Sequence, residues 1–96
     1  MSYQYALRTP EVINKILDQR VQSIGTIPIL LNQKGGRLIV ISNTGDKTVY
    51  VGYEGVTPEI GIPINPGVIM EFFVGETEKL YAIAKTETTI RVLEAV

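Results

Sequence analysis

Hydrophobic residues along this chain change their spacing near Gly25. Before it, Ile13, Ile16, Leu17, Val21 and Ile24 recur at three- and four-residue intervals, with Asn14, Lys15, Asp18, Gln19 and Gln22 between them. That spacing predicts one apolar face of an amphipathic helix. Thr9 can cap it, Pro10 suits its first position, Glu11 suits the positive end of its dipole, and Gly25 can stop it. A short polar and aromatic arm, Ser2-Tyr3-Gln4-Tyr5-Ala6-Leu7-Arg8, comes first.

From Thr26 onward the apolar residues come in short runs cut by turn residues. Ile27 to Leu31 is a brief run in which Pro28 suggests an edge strand. Gln33-Lys34-Gly35-Gly36 reads as a turn. Arg37 to Ser42 has an unbroken apolar centre and reads as a strand buried on both faces. Asn43-Thr44-Gly45-Asp46 reads as a hairpin turn in which Gly45 takes positive φ. Lys47 to Tyr53 alternates, with Val49, Val51 and Tyr53 on one face. Glu54 to Pro66 carries three prolines and two glycines, which favour an ordered loop with Ile62-Pro63-Ile64 as an edge strand. Pro66-Gly67 is a turn, and Val68–Val74, Leu80–Lys85 and Thr89–Ala95 read as strands. Short, regular turn spacing predicts a mainly β fold, an antiparallel β-sandwich or barrel, preceded by the arm and one short helix. The expected division is residues 1–25 for arm and helix and 26–96 for the β-sandwich domain.

Composition narrows the chemistry. The 96 residues suit one domain with one core. The formal net charge is −1 and the nine Lys and Arg are scattered, which argues against nucleic acid and an anionic membrane as partners. Cysteine and histidine are both absent. Disulfides, thiolate zinc sites and histidine-dependent triads are thereby excluded. Apolar runs such as Leu38-Ile39-Val40-Ile41 fall far short of the roughly 20 residues of a membrane span. Met1-Ser2-Tyr3-Gln4-Tyr5 lacks the basic start and apolar stretch of a secretory signal.

Candidate chemistry is sparse. Glu71, Glu76 and Glu78 read as solvated strand and turn charges, and no catalytic residue, cofactor or metal ligand is expected. Gly35-Gly36 lacks a phosphate-binding fingerprint and leads into a strand. Tyr50, Tyr53 and Tyr81 fit cross-strand packing. Tyr3 and Tyr5 fit either a contact surface or a plain terminus.

One further signal lies between Ile41 and Glu94. The order Ile41-Ser42-Asn43-Thr44-Gly45, Val49-Tyr50-Val51-Gly52, Gly55-Val56-Thr57, Gly61-Ile62-Pro63-Ile64, Pro66-Gly67, Leu80-Tyr81-Ala82-Ile83-Ala84 and Ile90-Arg91-Val92-Leu93-Glu94 resembles small β-sandwich modules of tailed-virus virion proteins. These include head decoration proteins, head fibres and tail-associated proteins. Two departures stand out: Pro58-Glu59-Ile60 replaces the polar residues common before the Gly-Ile-Pro element, and the region before Asn32 has no counterpart. The resemblance implies a capsid decoration or cement protein in the virion, passing through the host cytoplasm during assembly. Its implied partner is the major capsid protein or another virion protein, with a homo-oligomer, a trimer favoured. Contact would run through Tyr3, Tyr5, Leu7, Ile13, Leu17 and Val21. The alternatives are a tail or head-completion component and a carbohydrate-binding module that stacks Tyr50 or Tyr53 on sugar.

Overall fold

The computed structural model describes residues 15–96. The strands are β1 (Ile16–Ile24), β2 (Ile29–Leu30), β3 (Leu38–Ser42), β4 (Val49–Gly52), β5 (Ile62–Ile64), β6 (Ile69–Phe73), β7 (Tyr81–Ala84) and β8 (Thr88–Ala95). They form two antiparallel four-stranded sheets, with orders β1-β8-β3-β6 (sheet I) and β2-β7-β4-β5 (sheet II). Both are open sheets, so no closed barrel forms among the described residues.

The expected helix is not what residues 16–24 form. They pair along β8, from Ile16 opposite Ala95 to Ile24 opposite Thr88, with one irregularity between Ile16 and Asp18. The helical spacing of Ile16, Leu17, Val21 and Ile24 is coincidental. On a strand the decisive period is two. That period turns Asp18, Arg20, Gln22 and Ile24 inward and Gln19, Val21 and Ser23 outward. Three of the four inward residues are polar, which is why the strand was hidden. Although it precedes Gly25, β1 supplies Ile24 to the core.

Buried side chains from both sheets form one cluster. Ile24, Ile39, Ile41, Ile90 and Val92 come from sheet I, and Val49, Val51, Ile64, Ala82 and Ala84 from sheet II. The alternation expected at Val49 and Val51 holds. Tyr53 lies beyond β4 and is exposed. β3 is not buried on both faces: Ile39 and Ile41 are buried, whereas Leu38, Val40 and Ser42 are only half-buried. β2 and β5 lie at the edges of sheet II, where their prolines predict them.

The Asn43–Asp46 segment is not a hairpin, because β3 and β4 belong to different sheets. Gly45 does not have positive φ; Gly35, Gly55 and Gly67 do. Gly45 is needed for close approach instead, since a Cβ there would meet Thr88 Oγ1 and stand 2.7 Å from Thr89 O. Buried Asn43 holds the crossover. Its Nδ2 donates to Lys47 O at 2.9 Å and Ile64 O at 2.7 Å, and its Oδ1 accepts from Gly45 N–H.

The loop after β4 folds onto sheet II's outer face. Val56 is buried against Gly52, and a Cβ on Gly61 would stand 2.8 Å from Tyr50 Cβ. That loop therefore shields part of one face of the fold.

Candidate functional site

Two features stand apart from ordinary core and turn: a buried charge and a bare sheet face. The charge is Glu94. On β8, Thr88, Ile90, Val92 and Glu94 point inward at period two, and Glu94 is fully buried. A carboxylate in such a place costs several kcal/mol unless paired. Glu94 Oε2 accepts from Arg20 Nη1 at 2.7 Å, and Oε1 accepts from Lys34 N–H at 3.0 Å and Gly36 N–H at 3.1 Å.

Arg20 uses all three of its nitrogens. Besides Glu94, Nη1 donates to Asp18 Oδ2 at 2.8 Å, Nε to Gln22 Oε1 at 3.0 Å and Nη2 to Leu31 O at 2.7 Å. Gly36 is part of the device. A Cβ there would stand 2.8 Å from Glu94 Cβ, so only glycine brings this amide to the carboxylate. The network ties β1, β8 and the turn before β3 together. Both oxygens of Glu94 are occupied and no atom of it reaches solvent, so it presents no acid or base to a substrate. It is a clasp.

The bare face is the outer side of sheet I. Cross-strand register places Gln19, Leu93, Val40 and Glu71 in one row and Val21, Arg91, Ser42 and Ile69 in the next. Phe73 lies beside Leu38 in a third row. Val21 and Ile69 are 66% exposed and Phe73 69%. Single exposed apolar residues are common, and three on one sheet face set this side of the fold apart. A shallow depression of about 300 Å³ lies among Gln19, Val40, Ser42, Arg91 and Leu93.

Of the contact residues expected from sequence, Tyr3, Tyr5, Leu7 and Ile13 lie outside the described residues. Leu17 and Val21 fall on β1, Leu17 half-buried and Val21 exposed on the bare face. Sequence reasoning missed Arg20, Glu94 and Phe73. The available signal was Glu94 continuing the inward alternation of Ile90 and Val92.

Tyr50 is half-buried on the outer side of sheet II, with Lys85 Nζ 6.0 Å from its ring centroid. Tyr53 is exposed, and its hydroxyl donates to Glu78 Oε1 at 3.2 Å. The negative charge of Glu78, and then the hydrogen bond to it, raise the Tyr53 phenol above its ordinary value. Glu71 is exposed in mid-β6. Among the described residues no three acidic side chains gather to hold a metal ion, and no helix is long and apolar enough to cross a membrane. Comparison of the chain with protein-family models, curated proteins and solved structures found no match to any of them.

Proposed function

We propose that this chain is a non-catalytic virion structural protein, a capsid decoration or cement protein, whose two sheets pack as a β-sandwich. The carrying observation is the outer face of sheet I, which leaves Val21, Ile69 and Phe73 in water on one uncovered sheet surface, whereas the exposed apolar residues beside sheet II, Tyr53, Ile60 and Ile62, sit in its loop and on its edge strand. Fully burying such side chains is worth about 1.5–3 kcal/mol each, enough for a weak contact. Many weak contacts on one shell stabilise it collectively. The arm residues Tyr3, Tyr5 and Leu7 would add a clamp to a neighbouring subunit. A rigid module suits this work, and the Arg20–Glu94 clasp supports rigidity by locking the edge strand β1.

The resemblance between Ile41 and Glu94 directs the reading to the major capsid protein, with a tail or head-completion component as the nearest alternative. A carbohydrate-binding role finds less support. Stacking needs an open aromatic platform, and Tyr50 is half-buried beside the covering loop while Tyr53 is hydrogen-bonded to Glu78.

The test is co-expression with the coat protein encoded in the same viral genome, followed by sedimentation of the assembled shells. The chain should sediment with the shells, and the surface variant Phe73→Ser should weaken that association. A chain that stays wholly in the soluble fraction would overturn the reading.

A further inference from the structure

The bare face of sheet I is also self-complementary, which names an occupant for it. We propose that a second copy of this chain seats on it face to face, about a two-fold axis that runs parallel to the sheet above its outer face and passes over β3 between Val40 and Ser42. The proposal rests on the preceding reading only in that this face is an assembly surface: the second copy occupies it in free solution, and the shell contact replaces that copy on assembly.

The argument is a matter of register and charge. Among the described residues, Arg91 is the one cation of the outer face and Glu71 its central anion, with Glu87 at the margin bound by the Ser23 hydroxyl. They stand on strands either side of β3 and one row apart, Arg91 opposite Ser42 and Glu71 opposite Val40. Both are exposed, and neither forms an ion pair with another described residue. On a flat lattice with about 4.8 Å between strands and about 3.4 Å per residue, they lie about 12 Å apart. That is too far to pair within one copy. A two-fold axis parallel to the sheet, lying over the perpendicular bisector of the line between them, sets each Arg91 over the other copy's Glu71, so both charges are answered at once.

The same axis was not chosen for the apolar residues, yet it matches them. On that lattice Leu93 of one copy falls within about 3 Å of the point above Val40 of the other. Phe73 falls within about 3 Å of the point above Val21, so two of the most exposed apolar residues cover each other. A contact in which residue i meets j and j meets i is isologous and closes as a dimer. Hence the geometry points to a two-fold pair, not to the three-fold ring expected from sequence. Alternating apolar and charged positions would also fix the pairing angle, because sliding by one row sets Arg91 over an apolar side chain.

Sedimentation velocity and light scattering on the full chain, over a wide concentration range, test this directly. The wild type should show a reversible monomer–dimer equilibrium. Arg91→Glu alone and Glu71→Arg alone should each weaken it by tenfold or more, since each sets like charges face to face. The double variant R91E/E71R should return to within about threefold of wild type, because the pair re-forms with its polarity reversed. Both positions are exposed, so the far-UV spectrum, and the melting curve at concentrations where the wild type is monomeric, should stay unchanged and serve as the folding control. A wild type that remains monomeric throughout, or a double variant at least as weak as either single one, would overturn the proposal. The shell-sedimentation assay separates the two readings. A monomer that still binds shells removes the dimer and keeps the decoration role, and a dimer that never binds shells does the reverse.

Discussion

Replacing Arg20 by Met removes one charge of the buried clasp and keeps most of the aliphatic stem. Glu94 would retain Lys34 N–H and Gly36 N–H but lose its cation, and Leu31 O would lose its donor. Breaking a buried pair from one side costs about 3–5 kcal/mol, mostly because the remaining charge is left uncompensated. Domains of this size have about 5–15 kcal/mol in total. With each kcal/mol worth about 4–8 °C, the melting temperature should fall by about 12–40 °C. Thermal and urea unfolding followed by circular dichroism measure this, with the urea slope checking that the unfolded state is unchanged. A companion variant, Arg20→Met with Glu94→Gln, removes the stranded charge and keeps a carbonyl for the two loop amides. It should recover part of the loss, leaving a favourable coupling in the double-mutant cycle. If Arg20→Met costs less than about 1 kcal/mol, as exposed pairs do, the clasp reasoning is refuted. So it is if the double variant is no more stable than the single one.

Other expectations concern single positions. Gly36→Ala should destabilise by about 1–3 kcal/mol in urea melts, because its Cβ meets Glu94 Cβ at 2.8 Å and must push the loop off the carboxylate. Thr88→Val should raise stability by about 1 kcal/mol, since the Thr88 hydroxyl is buried without a hydrogen-bond partner among the described residues; a loss would show that the hydroxyl is paired. Asn43→Ala should cost about 2–4 kcal/mol by leaving Ile64 O and Lys47 O without their donor. Tyr53 should ionise above its ordinary value near 10, read by ultraviolet titration, and Glu78→Gln should bring it back down. Because the folded value is the raised one, whatever stability this hydrogen bond contributes is present below pH 10 and lost as pH climbs through the folded value.

Much of the β architecture was legible in the chain. The turn glycines Gly35 and Gly67, the edge strand β5 and the inward pair Val49 and Val51 all follow from local rules. What stayed hidden depends on contacts far apart in sequence. β1 reads as a helix because its inward face is filled by Asp18, Arg20 and Gln22, whose burial makes sense only beside Glu94, 74 residues away from Arg20. The crossover at Gly45 reads as a hairpin because sheet membership is invisible to a local pattern. The bare face was half visible: Val21 was picked out, but for a helical stripe. Its neighbours Phe73 and Ile69 come from β6, which joins it only through the register of β8 and β3.

The order of strands in sheet I has a kinetic consequence. β8 is the last strand along the chain, yet it lies between β1 and β3. Among the described residues, until it is in place β1 has no ladder partner in its sheet and β3 has only β6. Folding dominated by such distant pairings typically runs in milliseconds to seconds. Throughout that interval β1 is a nine-residue strand with unpaired backbone edges, the kind of template that captures other chains. A charged side chain on the face meant for the core makes foreign pairing costly, because a partner strand without a matching carboxylate leaves Arg20 with Asp18 alone. Arg20 therefore discourages misassembly of the nascent sheet before Glu94 arrives to lock it.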